Sequence, residues 1–336
     1  MATSPYYLLL LLIPILLLSF LILLYVIVRP RSARIPIKGR HVFITGGSSG
    51  IGLALAHQAA AEGARVSILA RSSKRLEEAR DSIRLATGVE AAVFSADVRD
   101  AEAVARAVNE AGPIDVLVCN QGVFTPLELE KQDLKEVKFM IDVNLMGTFH
   151  LIKAALPAMK VRAKDTGFPA SIAIMSSQAG QVGIYGYTAY SASKFALRGL
   201  SEALQQEVIA DNIYVSLIFP PDTETPGFAQ EHETRPELTS IIAGSSGGIK
   251  AEDVAKASLS GIKSGRFIIP CNLDGALLAI ATSGLAPQSS CITAFIEVAG
   301  AGFLRLAALF YQWHWYSIIE KWHAESSLRN RASGRL

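Results

Sequence analysis

The sequence predicts an α/β domain, a parallel sheet covered by helices on both faces, with an apolar segment at each end of the chain. Two observations predict the domain. From His41 to Ile268, strand-length apolar runs alternate with longer helical patterns, which is how strands joined by helical crossovers read. A glycine-rich turn, Thr45-Gly46-Gly47-Ser48-Ser49-Gly50-Ile51-Gly52, joins the first strand to the first helix. A third observation predicts the ends: half of the 336 residues are hydrophobic, and the excess lies at the two termini.

Tyr6 to Val28 is 23 residues without a charge. As a helix it would span roughly 35 Å, against a bilayer hydrocarbon core of about 30 Å. Pro14 is tolerable in such a helix. A cleavable signal peptide is the competing reading; the apolar run is longer than a usual signal core and no basic residue precedes it. Arg29, Arg31, Arg34, Lys38 and Arg40 follow at once. Residues 1–38 therefore read as a transmembrane anchor with a basic flank, which places the following domain in the cytosol. Cys119, Cys271 and Cys291 fit no disulfide or zinc spacing and agree with a reducing compartment. A formal net charge of +2 gives no reason to expect a nucleic-acid partner.

Residues 39–273 carry the predicted strands Val42–Thr45, Arg65–Ala70, Ala91–Ser95, Val116–Cys119, Ser171–Met175, Tyr214–Phe219 and Phe267–Ile269. The turn after the first strand suits a dinucleotide. Gly46 permits backbone angles a side chain forbids, Gly50 lets the main chain approach a pyrophosphate, and Gly52 lets helix pack on strand. The phosphates would meet the helix start at Ile51, with hydroxyls from Ser48 and Ser49. The second strand carries no acidic residue near its end to accept ribose hydroxyls. It runs instead into Arg71, with Lys74 and Arg75 behind, and guanidinium forks suit a 2′-phosphate. The expected cofactor is NADPH. Asp97, past the third strand, is placed to accept from an adenine amino group. Asn120 and Gly122, at the end of the fourth strand, would pass close to the adenine ribose.

Tyr190 and Lys194 are four apart in a helical pattern and so share one face. An ammonium beside a phenol, whose ordinary pKa is about 10, favours the phenolate and equips the pair for proton exchange near neutrality. Ser176 and Ser177 end the fifth strand, where a hydroxyl can polarise a carbonyl; Ser177, thirteen residues before Tyr190, is the preferred one. Asn144 interrupts an apolar helix, Leu134–Met159. It either satisfies a helix-packing contact or holds a water that returns protons to Lys194.

Thr225–Lys250 is polar, contains Pro226 and Pro236 and ends in Gly244-Ser245-Ser246-Gly247-Gly248. It reads as a long loop, and so as a substrate lid. Residues 274–336 form a separate apolar region with a basic tail. Gly275–Ile296 and Val298–Trp315 read as a membrane hairpin or as interfacial helices, with Trp313, Trp315, Tyr316 and Trp322 at headgroup level.

Taken together, the Thr-Gly-x-x-x-Gly-Ile-Gly turn, Asn120 to Gly122, Asn144, Ser177 and the Tyr190/Lys194 pair resemble the short-chain dehydrogenase/reductase family over roughly Gly39–Pro270. The resemblance implies a Rossmann-type, doubly wound parallel sheet of about seven strands, an Asn-Ser-Tyr-Lys catalytic set, contact of Tyr190 and Lys194 with the cofactor, and a homo-oligomer. Gln121 departs from the family's usual alanine, and little consequence is expected. A narrower resemblance, carried by Ser176–Gln181, Tyr190–Ala196 and Pro220–Phe228, is to membrane-attached reductases of long-chain lipid ketones. It implies NADPH-dependent reduction of 3-ketosphinganine to sphinganine at the endoplasmic reticulum membrane, with a cytosolic active site. Pro220, Thr223 and Thr225 would then lie near the nicotinamide and its phosphates, and Asp222 or Glu224 near the substrate ammonium. A membrane-anchored steroid or retinoid dehydrogenase and a non-catalytic NADPH-binding scaffold are the competing readings.

Overall fold

A computed structural model describes residues 5–28, 33–243 and 248–332. Arg29, Arg31, Gly244–Gly247 and the last residues of the basic tail lie outside the described residues. The chain opens with helix α1 (Pro5–Val28), then alternates β1 (His41–Thr45), α2 (Gly50–Ala61), β2 (Arg65–Ala70), α3 (Ser73–Thr87), β3 (Ala92–Ser95), α4 (Ala101–Ala111) and β4 (Val116–Cys119). A second half follows with α5 (Leu134–Ile141), α6 (Gly147–Thr166), β5 (Ala170–Met175), α7 (Thr188–Val208) and β6 (Ile213–Phe219).

Seven strands form one parallel sheet in the order β3-β2-β1-β4-β5-β6-β9, the last being Ile268–Pro270. The predicted strands fall within a residue of those observed. β1, β4 and β5 are buried at every position, as expected where helices cover both faces. The strand order reverses between β1, which pairs with both β2 and β4, and the second half of the sheet. A crevice therefore opens at the carboxyl ends of β1 and β4, the usual ligand position in such sheets. Two apolar cores, one on each face, hold the helices to it.

The opposite edge of the sheet is pinned by charge. Asp115, almost wholly buried, accepts the His41 backbone N–H at 2.8 Å and pairs with Arg40 at 2.8 Å and Arg162 at 3.0 Å. This cluster ties β1, β4 and α6 together at their far ends.

Three expectations need correction. The helix predicted over Leu134–Met159 runs on to Thr166 and changes pitch midway: Asp142–Met146, between α5 and α6, is a π-helical turn. Thr225–Lys250 is not a loop. It folds as β7 (Thr223–Glu224), α8 (Pro226–Thr234), α9 (Glu237–Ala243) and β8 (Ile249–Lys250), which leads into α10 (Ala251–Lys263). Pro226 occupies the first turn of α8, where a missing N–H costs nothing, and Thr225 caps it by accepting the Phe228 N–H at 3.1 Å. Leu238 and Ile242 on α9 are buried, and the Thr239 hydroxyl donates to the Tyr185 carbonyl at 2.9 Å.

The C-terminal region is not a hairpin of two spans. α11 (Leu273–Ala281) has nine residues, roughly 14 Å, too short to cross a bilayer. α12 (Cys291–Ala332) is one continuous helix of 42 residues. Its stretch Cys291–Leu328 is long and apolar enough to span, and only 6% of its most apolar window is buried. On α1, Leu12–Val28 is likewise almost wholly exposed, and the two helices touch through Phe20 and Phe295, whose ring centres are 6.0 Å apart.

Removing the carboxylate from the far-edge cluster leaves the buried Arg40 guanidinium without its counter-charge. Asp115→Ala is expected to cost about 3–5 kcal/mol of stability, read as a lowered thermal midpoint of the detergent-solubilised protein.

Candidate active site

A cleft of about 640 Å³ lies over the carboxyl ends of the strands. One end is built by the glycine turn. Gly46 and Gly50 hold φ of 62° and 54°, a left-handed conformation that only glycine adopts without strain. A Cβ on Gly52 would overlap the Gly46 carbonyl oxygen and come within 2.6 Å of Asn120 Nδ2. Gly52 therefore lies behind the cleft wall, where it lets α2 approach β1. Asn120 locks the same turn from across the crevice, donating from Nδ2 to the Thr45 carbonyl at 3.1 Å. Ser49 makes no side-chain bond to the start of α2. The helix start, with Ser48, Ser49, Gly50 and Ile51, lines the cleft with its first N–H groups uncapped by that side chain.

Arg71 and Arg75 lie on the lip beyond β2, both exposed and both lining the cleft. Ser72 between them caps α3 by accepting the Arg75 N–H at 3.4 Å. No acidic side chain stands at the end of β2, so the lip is cationic. Asp97 also lines the cleft. Hydrogen bonds from the Arg99 guanidinium hold its carboxyl below the usual range, so it stands ionised as an acceptor, partly occupied by Arg99.

At the other end of the cleft, α7 presents Tyr190 and Lys194. Lys194 is buried, donates to the Met175 carbonyl at 3.0 Å, and sits with Nζ 5.6 Å from the centre of the Tyr190 ring. The Tyr190 ring packs against Phe124, with centres 4.3 Å apart. Asn144 does not line the cleft; it is wholly buried behind it, in the π turn. Its Oδ1 accepts the Val123 N–H at 2.8 Å, while Nδ2 donates to the Val123 carbonyl and to Ser193 Oγ, both at 3.0 Å. Ser193 in turn donates to the Tyr190 carbonyl at 2.7 Å. The Asn144 amide is thus hydrogen-bonded through both its oxygen and its nitrogen. Gly122 lies beside Lys194 Nζ and Asn144 Oδ1, where a Cβ would make ordinary contact at 3.5 and 3.7 Å.

The two serines divide their work. Ser176 is buried and donates its hydroxyl to the Lys194 carbonyl at 3.0 Å. Ser177 Oγ accepts the Ala179 N–H at 3.2 Å, which leaves its own proton for a ligand in the cleft it lines. The third wall is Pro220 to Thr225. The Thr223 hydroxyl donates to the Pro221 carbonyl at 2.8 Å, and Thr225 packs against Gly50. Asp222 lines the cleft but is paired with the buried Arg235 of the α8–α9 segment at 2.7 Å, and Glu224 is exposed. The carboxylates weighed for a substrate ammonium are therefore one neutralised and one outside the cleft.

Sequence reasoning missed four contributors. Ser193 was legible only as a polar residue on the buried side of a helix. Phe124 and Tyr187, which rim the Tyr190 side, carry no motif. Gln121, expected to matter little, is buried and hydrogen-bonded on both faces of its amide. Burial pushes the Cys271 thiol up to about 12 and the Cys119 thiol up as well, so neither is a ready nucleophile.

Residues 40–236 match the short chain dehydrogenase family. The chain belongs to the short-chain dehydrogenase/reductase family. Within this family it is 64% identical over 304 residues to 3-dehydrosphinganine reductase TSC10B of Arabidopsis thaliana, covering 90% of this chain and 91% of that one. It is 36% identical over 316 residues to 3-ketodihydrosphingosine reductase of Bos taurus, covering 91% and 93%. Among solved structures it is similar to L-sorbose reductase from Gluconobacter frateurii complexed with NADPH and L-sorbose, with a TM-score of 0.63 and 26% identity, covering 71% of this chain and 98% of that one.

Because a side chain at position 52 would displace both Gly46 and Asn120, Gly52→Ala is expected to weaken dinucleotide binding by at least about tenfold (on the order of 1.4 kcal/mol). Fluorescence titration with the reduced cofactor measures it, with an unchanged far-ultraviolet circular dichroism spectrum as the control for folding.

Proposed function

We propose that this protein reduces the keto group of 3-ketosphinganine with NADPH, giving sphinganine, at the endoplasmic reticulum membrane. The observation that carries the reading is a single cleft with a glycine turn and a cationic lip at one end and the Tyr190/Lys194 pair at the other, in a chain whose curated relatives are 3-dehydrosphinganine reductases. The residues present fit NADPH. Gly46 and Gly50 line the cleft beside the start of α2, where a pyrophosphate would be held, Arg71 and Arg75 would supply guanidinium donors to a 2′-phosphate, and Asn120, Gly122, Thr223 and Thr225 line the same cleft.

Bound NADPH supplies the hydride that arrives at the carbonyl carbon. Tyr190 gives its hydroxyl proton to the carbonyl oxygen, so hydride and proton together convert C=O to CH–OH. Lys194 steadies the phenolate left behind with its buried positive charge, and Ser177 holds the ketone oxygen with its unspent proton. Asn144 keeps α7 in register with the segment after β4.

The long alkyl chain of the substrate needs an apolar exit. Phe124 and Tyr187 pack against Tyr190, Phe228 also lines the cleft, and α9, bonded to Tyr185, packs on α12. Tyr185 beneath α9 stands 6.3 Å, ring centre to ring centre, from His323 of α12. The α8–α9 segment thus serves as a lid between the cleft and the membrane helix. α1 and α12 anchor the chain, with residues 1–38 as anchor and flank, 39–273 as the catalytic domain and 274–336 as the C-terminal membrane region. The basic flank and three unpaired cysteines support a cytosolic face for the domain.

Microsomes carrying the protein are expected to oxidise NADPH only when 3-ketosphinganine is added; no acceleration with that ketone would sink the substrate assignment. Tyr190→Phe is expected to lower kcat by about 10²–10⁴-fold, the usual worth of a general acid, with NADPH affinity kept. Arg71→Ala is expected to weaken NADPH binding by about 10–100-fold, the worth of one charged hydrogen-bonding group, and to leave NADH binding unchanged. Parallel titrations with the two cofactors check it.

A further inference from the structure

Gln121, between the two residues predicted to meet the adenine ribose, is bonded toward both ends of the cleft. Its Oε1 accepts the Thr45 hydroxyl at 2.6 Å. Its Nε2 donates to Thr148 Oγ1 at 2.9 Å and approaches the Val143 carbonyl at 3.5 Å. Thr148 passes the chain on, donating to the Asn144 carbonyl at 2.8 Å. The amide is oriented by its carbonyl neighbour: a carbonyl only accepts, so the nitrogen faces Val143 and the oxygen faces Thr45. Thr45 is the last residue of β1 and leads directly into Gly46. Val143 and Asn144 belong to the π turn, whose wider spacing withdraws carbonyls from the regular helical ladder. One buried amide and two hydroxyls thus run from the dinucleotide turn to the element that aims Asn144, and from there through Ser193 to the backbone of Tyr190.

We propose that Gln121 is a positioning residue that couples dinucleotide binding at the Gly46 turn to the placement of Asn144 and, through it, of the Tyr190 helix. The proposal rests on the reading of the cleft as an NADPH site and adds to it a device for linking its two ends. Every bond from Thr45 to Ser193 joins buried groups, and only the last, to the Tyr190 carbonyl, is part-buried, so a shift at Thr45 is passed on rather than absorbed. Without the amide, the turn and the π segment would still be joined through the backbone of residues 120–123, which Thr45 and Asn144 hold, but no side chain would bridge them directly.

The test is cofactor affinity, which needs no ketone. Thr148 is 1% exposed and does not line the cleft, so a change there reaches the cofactor only through its neighbours. In the full-length protein in detergent, Thr148→Val is expected to weaken NADPH binding about fivefold, within the range of coupling changes for residues that touch neither ligand. Thr148→Ser, which keeps the hydroxyl, is expected to restore it. In a Gln121→Ala background, Thr148→Val is expected to change NADPH affinity by less than about 1.5-fold, because the path it interrupts is already cut. An equal loss in both backgrounds, or no loss in the first, would overturn the proposal.

Gln121→Glu gives a second measurement if Thr148→Val fails to fold. Protonated, its carboxyl can still donate to Thr148; ionised, it cannot. Its NADPH affinity relative to the unsubstituted protein is expected to fall as pH rises from about 5.5 to about 8, through the range where a buried carboxyl ionises, and a ratio flat with pH would count against the coupling. A wild-type protein that binds NADPH but leaves 3-ketosphinganine untouched would remove the substrate reading alone. One that binds no NADPH would remove the cofactor reading and this coupling with it.

Discussion

The site depends on how the chain satisfies its backbone polar groups once it leaves β4. Beyond Cys119 the strand ladder stops, yet Asn120, Gln121 and Val123 stay partly or wholly buried, and buried N–H and C=O groups without partners cost about 1–3 kcal/mol each. Side chains from distant parts of the sequence meet that need. Thr45 Oγ1 accepts the N–H groups of Asn120 and Gln121 at 3.0 and 3.3 Å, and Asn144 takes both the N–H and the carbonyl of Val123. Satisfying these groups fixes the floor of the cleft, because the partners that do so stand at the glycine turn and in the π turn, and Asn144 of the π turn is itself bonded to Ser193 of α7.

The rest of the architecture follows from where polarity is permitted. The central strands are apolar over their lengths and covered on both faces, so polar chemistry is confined to their ends. One end carries the Asp115 cluster, which closes on itself with three partners and offers no opening. The other carries the crevice between β1 and β4, where glycine lets backbones approach and where hydroxyl, amide, ammonium and guanidinium groups converge. Ser176 and Ser177 show how finely that boundary is drawn. Adjacent in sequence, both line the cleft, but they spend their hydroxyls differently. One spends its proton on the Lys194 carbonyl inside the wall; the other keeps it for the cleft.

The terminal helices obey a different rule. α12 and α1 expose apolar side chains along most of their described length and meet one another, while the catalytic domain carries a full core of its own. The α8–α9 segment is one place where the two regimes touch, lining the cleft through α8 and resting on α12 through α9.

Strand positions, the glycine turn, the Tyr190/Lys194 face, the cationic lip and the N-terminal apolar helix were all legible in the sequence. Each is written in local spacing: period two or near four, glycines a few residues apart, or an uninterrupted apolar run. The π turn, the folded lid, the division between the serines and the Gln121 network were not. A π turn differs from an α turn by one residue of pitch, which apolar periodicity does not register. Pro226 reads as a loop breaker until the tertiary fold sets it at the first turn of a helix. Gln121, in a strand-end motif, gains its meaning from Thr45 and Thr148, 76 residues before it and 27 after. Local patterns decide which element forms; only packing decides which buried donor meets which acceptor, because that choice is made between segments whose separation along the chain carries no signal of their distance in space.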